Sequence, residues 1–322
     1  MNCAITRLLA DSRDFVSGEQ ISRSLGVSRT AVWKHISALR KIGYRIEAFP
    51  SRGYRLLSSP DLLDADGIKA QLATAIIGRR LECLQQTVST NADAFRRAEE
   101  GAAEGTVVVA DSQSGGKGRR GRVWSSPAAV NLYCSVVLRP QIMPQQAPQL
   151  TFLSAVAVAR AIEQLSACTP QIKWPNDVLI SGKKVAGLLN EMSAETDGIN
   201  FVILGIGVNL NMTTDQFPAD LHHPATSLLI ESGSQVERGK FAACLLTELD
   251  RLYSEFLKLG FAPVREEWRR RCNASGRKVV VSDAGMEGLS GMFAGIDEDG
   301  ALLLKTDAGV IERIAGGDVR VL

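Results

Sequence analysis

Long apolar runs are missing from this sequence of 322 residues. No stretch approaches the roughly 20 residues a helix needs to cross a bilayer, so no membrane association is expected. Histidine is scarce: the chain has three, two of them the neighbours His222 and His223. Adjacent side chains rarely point at one ion. The six cysteines (Cys3, Cys83, Cys134, Cys168, Cys244, Cys272) are scattered, without the paired spacing of a zinc site. Residues 1–20 carry Arg7, Asp11, Arg13, Asp14 and Glu19 and hold no signal-peptide core. That leaves the cytoplasm as the expected compartment. No Ser/His or Cys/His nucleophile motif is evident. The glycine-rich stretch at 114–121 also lacks the Gly-Lys-Ser/Thr ending of a P-loop.

Charge is present in both signs but unevenly. Residues 1–60 carry 10 Arg/Lys against 4 Asp/Glu, a balance of +6, while the whole chain is only +2. A small basic front domain fits nucleic-acid binding. Ile5, Leu8 and Leu9 suit one face of a first helix, and Ser17 suits the N-cap of a second. Gly26-Val27-Ser28 makes a turn, and Ser28 caps a helix from Arg29 to Leu39 whose apolar stripe is Val32, Ile36 and Leu39. Ser28, Arg29, Thr30 and Lys34 are then left for DNA. Lys41–Ala48 and Gly53–Leu57 read as two strands of a wing with Arg52 near its tip, placed to meet phosphate. Trp33 is expected to pack against that wing, and His35 to be a helix-surface or packing residue.

Ser58-Ser59-Pro60-Asp61 reads as a linker, followed by a helix from Asp66 to Ile77 and a strand from Leu81 to Gln85. Ser89-Thr90-Asn91 opens a helix to Gly101, where small polar groups beside free helix N–H groups suit a carboxylate or ureido ligand. The strand Thr106–Ala110 leads to Gln113 and to the loop Gly116-Lys117-Gly118-Arg119-Arg120-Gly121-Arg122-Val123-Trp124. Its glycines admit tight turns, and its guanidinium groups fork onto phosphate or carboxylate. Further strands (Asn131–Leu138, Gln171–Trp174, a hairpin about Ser181-Gly182-Lys183, Asn200–Ile206) and the helix Pro148–Leu165 make a mixed sheet with helices, an α+β domain. Lys240–Gly260 is an amphipathic helix, and Pro263–Cys272 closes the domain around Trp268. Short strands separated by Asp/Gly turns after residue 271 have the spacing of a small SH3-like barrel. The domains expected are 1–60, 61–270 and 271–322.

Each motif alone has a plainer reading: a solvated basic hairpin, a helix cap at Ser89, a strand ending in a Pro-Asn turn, a hairpin cation at Lys184. Their order reverses this. The basic loop, Lys173-Trp174-Pro175-Asn176-Asp177, Lys184-Val185-Ala186-Gly187 and Gly205-Ile206-Gly207-Val208-Asn209 together resemble the catalytic domain of bacterial biotin protein ligase. With the winged helix-turn-helix, the whole chain resembles the bifunctional biotin protein ligase/biotin-operon repressors, the BirA family.

That resemblance implies an ATP-dependent ligase. Biotin's carboxylate attacks the α-phosphorus of ATP, giving biotinyl-5′-AMP and pyrophosphate. A lysine amine of the biotin carboxyl carrier protein, the biotin domain of acetyl-CoA carboxylase, then attacks the acyl carbon and expels AMP. Both steps gather negative charge on oxygen, so fixed cations and N–H donors are the main catalytic resource. The resemblance also assigns residues. Ser89, Thr90, Asn91 and Gln113 would bind biotin, and Gly116, Lys117, Arg119, Arg120 and Arg122 would wrap phosphate and carboxylate. Trp124, Asn209 and Arg320 fall on the nucleotide side, Gly187 is among the ligand-binding residues, and Asn176 and Asp177 would contact nucleotide, metal or the acceptor lysine. Lys184 leads for catalysis, with Arg119 and Asp177, and Asp177 is also a candidate Mg²⁺ contact. Where the family loop reads Gly-Arg-Gly-Arg-Arg-Gly, this chain has Lys117, which keeps the charge and loses the fork. Biotinyl-AMP would order the loop and favour a homodimer presenting two winged helices to the biotin operator. A lipoate or octanoate ligase, or a non-catalytic biotin-sensing repressor, are the alternatives.

Overall fold

Two serines set the helix starts of the N-terminal unit, Met1–Leu62. In this computed structural model of the protein all residues are described except Met1, Arg13, Ile42, Gly43, Ser59, Pro60, Leu62, Asp197, His222 and 283–287. Ile42 and Gly43 of the expected wing strand, Ser59 and Pro60 of the linker, and His222 therefore lie outside the described residues. After α1 (Asn2–Ala10), the Ser17 hydroxyl accepts the Gln20 N–H at 3.0 Å and opens α2 (Gly18–Leu25). Gly26, at φ +65°, ends that helix in the left-handed conformation that a residue without Cβ adopts freely. Ser28 accepts the Ala31 N–H at 3.2 Å at the head of α3 (Arg29–Lys41). Strands β1 (Arg45–Phe49) and β2 (Gly53–Ser58) pair antiparallel as the wing.

The core of this unit is Ile5, Leu9, Val16 and Ile21 with Val32, Ile36, Leu39 and Ile46. One expectation fails here. Trp33 does not pack on the wing; it is 59% exposed. Val32, Ile36 and Leu39 already fill the inward stripe of α3, so position 33, a further 100° round from 32, turns outward. The wing is braced by Phe15 instead, whose ring lies 5.9 Å from that of Phe49 and beneath the guanidinium groups of Arg52 (4.6 Å) and Arg55 (4.8 Å).

The second unit, Leu63–Leu322, begins with α4 (Ala65–Lys69). A longer helix was expected there. It stops early because the N–H groups of Ala75, Ile76 and Ile77 donate to the buried Asp250 carboxylate, at 2.8, 2.8 and 2.7 Å, rather than to a helical turn. There follow β3 (Leu81–Leu84), α5 (Thr90–Glu99), β4 (Val107–Ala110), β5 (Leu132–Leu138), α6 (Gln149–Leu165), β6 (Gln171–Lys173), β7 (Asp177–Ile180), β8 (Lys183–Glu195) and β9 (Gly198–Val208). Then come α7 (Leu228–Ser232), α8 (Arg238–Leu259) and α9 (Ala262–Arg271).

Seven of these strands form one sheet in the order β3-β4-β5-β9-β8-β7-β6. Only the β3–β4 pair is parallel. Side chains alternate across it with period two: Val107, Val109, Val136, Val202 and Leu204 join the core with α6 and α8, while Val108, Val137 and Ile203 meet Ala94 and Ala98 of α5 on the opposite face. Arg160 of α6 ties the helices together through Glu248 and Glu267.

The final strands, β10 (Lys278–Ser282), β11 (Leu289–Ile296), β12 (Leu302–Lys305), β13 (Ile311–Ile314) and β14 (Asp318–Val321), form a sheet ordered β13-β12-β11-β10-β14. Among the described residues β13 and β14 pair only inward, as the two edges. The sheet shares the apolar core of the central domain through Val279, Phe293, Leu302 and Val319. Trp174 donates its indole N–H to the Gly300 carbonyl at 3.0 Å. A Cβ on Gly300 would lie 2.2 Å from the Phe152 ring, so only glycine fits there. Among the described residues no helix is long and apolar enough to cross a membrane.

Replacing Asp250 with alanine strands three N–H groups in this part of the fold and is expected to cost about 3 kcal/mol. The measurement is the urea midpoint followed by circular dichroism, and an unchanged midpoint would refute the anchor.

Candidate active site

Glycine makes the floor of the site. Gly187 of β8 and Gly207 of β9 are register partners, and Gly205 lies two residues back from Gly207 on the same face. A Cβ on Gly207 would come within 2.6 Å of the Trp124 indole nitrogen, and one on Gly187 within 2.9 Å of the same ring. The indole lies in the slot these two missing side chains leave, and its buried N–H has no hydrogen-bond partner among the described residues. Gly205 does the same for Asn91, whose Oδ1 would be 2.2 Å from a Cβ. Above this floor opens a cavity of about 590 Å³.

One end of the cavity is the start of α5. Ser89 occupies the N-cap position but makes no side-chain capping bond. The Gln113 side-chain oxygen accepts the Thr90 N–H at 2.9 Å, and its amide nitrogen donates to Ser126 at 2.9 Å. The Ser135 hydroxyl sits 2.8 Å from Thr90 Oγ1 and 2.6 Å from Asn91 Oδ1. Asn91 also donates to the Leu189 carbonyl and to Glu191, so it holds the wall together from within.

The other end carries the charge. Lys184 Nζ lies 2.6 Å from Asp177 Oδ1 across the β7–β8 pair, with side chains 25% and 14% exposed, and 5.3 Å from the centre of the Trp124 ring. That Asp177 oxygen is buried and makes no hydrogen bond, so its contact with Lys184 is ionic. The main chain of Lys184 is fixed as well: its N–H donates to Pro224 and its carbonyl accepts from Thr226. Asn176 donates to the Leu188 carbonyl at 2.7 Å and accepts from Arg119 at 3.3 Å. Arg119 also reaches the Gly317 carbonyl at 3.5 Å, and Arg122 pairs with Asp318 at the start of β14.

Burial lowers the Arg119 pKa, with Arg120 and Arg122 adding to that effect while Asp318 and Asp177 oppose it. Burial alone would raise the Asp318 carboxyl; Arg122, followed by Arg119 and Arg120, outweighs it and holds the group below the ordinary carboxylate value. Burial also depresses Lys173, which faces Asp177 in register. The result is a row of cations in which Lys184, Arg119 and Arg122 each have an oxygen partner that an incoming carboxylate or phosphate could replace.

Of the residues singled out in the sequence, Ser89, Thr90, Asn91, Gln113, Lys117, Arg119, Arg122, Trp124, Asn176, Asp177, Lys184, Gly187 and Asn209 line this one cavity. Three do not. Gly116 lies beneath the loop, where a Cβ would come 2.7 Å from Ser126 Oγ and 2.9 Å from the Gln113 amide. Arg120, at φ +58°, is turned to the exposed side. Arg320 sits on the exposed part of β14, two residues past Asp318, which does line the cavity. Asn209 lines the wall, but its amide is spent on Thr226 and Asn131.

Among the described residues no three His, Cys, Asp or Glu side chains converge to hold a metal. Asp177 faces an ammonium group, so the geometry lends no support to a magnesium contact there. Sequence reasoning missed Asp318, whose partner is distant in the chain, and the slot itself; the Gly-x-Gly alternation within a strand was its available signal. In the basic unit, Arg29, Thr30 and Lys34 are exposed on α3, Ser28 caps it, and Arg52 is ion-paired with Asp14 at 2.7 Å.

Comparison with known proteins agrees with this arrangement. The biotin/lipoate A/B protein ligase family matches residues 82–209, a helix-turn-helix domain residues 4–55, and the biotin protein ligase C-terminal domain residues 274–322. The bifunctional ligase/repressor BirA of Bacillus spizizenii is 41% identical over 312 residues, which cover 96% of this chain and 94% of the relative. The chain belongs to the bifunctional ligase/repressor BirA family. The Escherichia coli member is 34% identical, over 97% of this chain and 94% of its own. The solved biotin protein ligase of Aquifex aeolicus in complex with biotin and ATP superposes with a TM-score of 0.65 at 28% identity, covering 76% of this chain and 99% of that one. Against the arginine usual in the BirA-family loop, Lys117 here contributes a main-chain bridge to Val123 and an exposed side chain on the cavity rim.

Gly207→Ala places a methyl group where the Trp124 indole lies. We expect the ring to be displaced at a cost of about 1–3 kcal/mol, seen as a red-shifted tryptophan emission and a raised KM for the nucleotide. Unchanged emission and KM would show that the slot does not hold the loop.

Proposed function

We propose that this protein is an ATP-dependent biotin ligase that forms biotinyl-5′-AMP and transfers biotin to a lysine of the biotin carboxyl carrier protein. With biotinyl-AMP bound, it represses the biotin biosynthesis operon. The observation that carries this reading is the single cavity in which the α5 N-terminus, the basic loop and the Lys184–Asp177 pair meet. It is supported by family members matched along nearly their whole length, helix-turn-helix included.

Biotin's ureido ring belongs at the α5 end, where the Ser89 side chain makes no capping bond and Thr90 and Gln113 are already fixed. Its carboxylate then points toward Lys184. As an oxygen of that carboxylate bonds to the α-phosphorus and the bond to pyrophosphate breaks, Lys184 and Arg119 balance the charge gathering on oxygen. Arg122 and Lys117 hold the phosphates, and the closed loop keeps water from the acyl phosphate. Asp177, on the cavity lining, orients the ammonium group of the acceptor lysine and takes its proton, so that the free amine attacks the acyl carbon as AMP leaves. Magnesium would arrive on the phosphates of ATP, since the described residues offer it no cage.

We assign the domains as residues 1–60, 61–270 and 271–322, and read the last as an SH3-like barrel whose strand order is β13-β12-β11-β10-β14. Arg29, Thr30 and Lys34 would meet operator DNA through α3. Arg52 would reach phosphate on release from Asp14. The protein would act there as a ligand-induced homodimer, since a two-fold operator calls for two winged helices.

The family match also covers lipoate ligases, so the test offers both acids. Purified protein is given Mg²⁺-ATP, a biotin-domain acceptor, and biotin or lipoate, and the acceptor is weighed intact. One biotin added, and a rate about a hundredfold lower in Lys184→Ala, is the expected result. Transfer of lipoyl alone would reassign the substrate, and tight biotin binding without transfer would leave only a sensing repressor.

A further inference from the structure

The most exposed aromatic side chain of the basic unit stands on the helix that the charge pattern assigns to DNA. Trp33 is 59% exposed, whereas Trp174 and Trp268 are 2% and 0% exposed. On α3 it shares a face with Arg29 and Thr30, four and three residues before it, and Lys34 follows a further 100° round, all three of them exposed. The inward stripe, Val32, Ile36 and Leu39, is fully occupied in the core. An exposed indole ring on the face that carries Arg29, near the head of a helix capped by Ser28, is poorly suited to water. It is well suited to a groove that offers one apolar group among polar edges.

In the major groove of DNA that group is the C5-methyl of thymine. The cations on either side supply attraction to phosphate without regard to sequence, so they cannot by themselves choose a base. We propose that Trp33 is a specificity-determining residue, reading a thymine methyl in the major groove while Arg29 and Lys34 engage the backbone. This rests on the DNA-binding half of the proposed function and adds to it a residue and a base feature.

The test uses the full chain with biotin, ATP and Mg²⁺. Duplexes are enriched from a random pool by the wild-type protein. Affinity is then measured by fluorescence anisotropy for the enriched duplex, for versions with single thymines replaced by uracil, and for an unrelated duplex. Trp33→Ala is expected to bind the enriched duplex about tenfold more weakly. It should bind the unrelated duplex as before, keep the same salt slope and transfer biotin at the wild-type rate. At one thymine, loss of the methyl should weaken the wild type by a similar factor and the variant not at all.

Three results would overturn the inference: equal affinity of variant and wild type, an equal loss on both duplexes, or no thymine at which the two proteins differ. A changed oligomeric state in Trp33→Ala, with DNA discrimination intact, would place the ring at a protein contact and overturn it too. Failure of the wild type to enrich any duplex would instead remove the DNA-binding reading itself.

Discussion

The contact between Lys184 and Asp177, 2.6 Å across two neighbouring strands, organises the charged half of the site. Both side chains are largely shielded from water, so the pair is screened weakly and neither member can be removed without leaving a charge uncompensated. Lys184 is doubly constrained, because its main chain also carries the segment from Pro224 to Thr226. That segment leads into Ser227, whose hydroxyl accepts the Ile230 N–H and caps α7. The ammonium group is thus placed by sheet, loop and helix together, which is what charge stabilisation without reorganisation requires.

Over this pair the basic loop is held at three points of different character. Arg119 is tied to Asn176 and Gly317, Arg122 to Asp318, and Trp124 to the glycine slot. The first two are polar and exchangeable for a ligand's oxygens; the third is a matter of shape and persists when charges change. Two of the tethers end at the head of β14, at Gly317 and Asp318, and Asp318 forms part of the wall of the cavity. Docking of the C-terminal sheet through Gly300, Trp174 and Phe152 bears on the chemistry for the same reason.

Much of this was legible in the sequence, for identifiable reasons. Ser17, Gly26 and Ser28 carry local signals that need no tertiary context, and they fall at the helix ends as expected. The Ser181-Gly182 turn, with both residues at positive φ, closes the β7–β8 hairpin in the way two-residue turns do. The site residues from Ser89 to Asn209 were found through ordered motifs, and most of them share the cavity. What could not be read depends on partners far away in the chain. The end of α4 is decided by Asp250 and the role of Asp318 by Arg122, whereas the outward turn of Trp33 follows locally from the inward stripe of Val32, Ile36 and Leu39.

The central claim is that Asp177 positions Lys184 for charge stabilisation. It is tested most directly by Asp177→Asn, with the burst of pyrophosphate release followed in a single turnover on mixing with biotin and Mg²⁺-ATP. The account predicts a release rate lower by about ten- to a hundredfold, with the dissociation constants of biotin and ATP within about twofold of wild type. An unchanged burst rate would contradict it, because Lys184 would then find its place without the carboxylate.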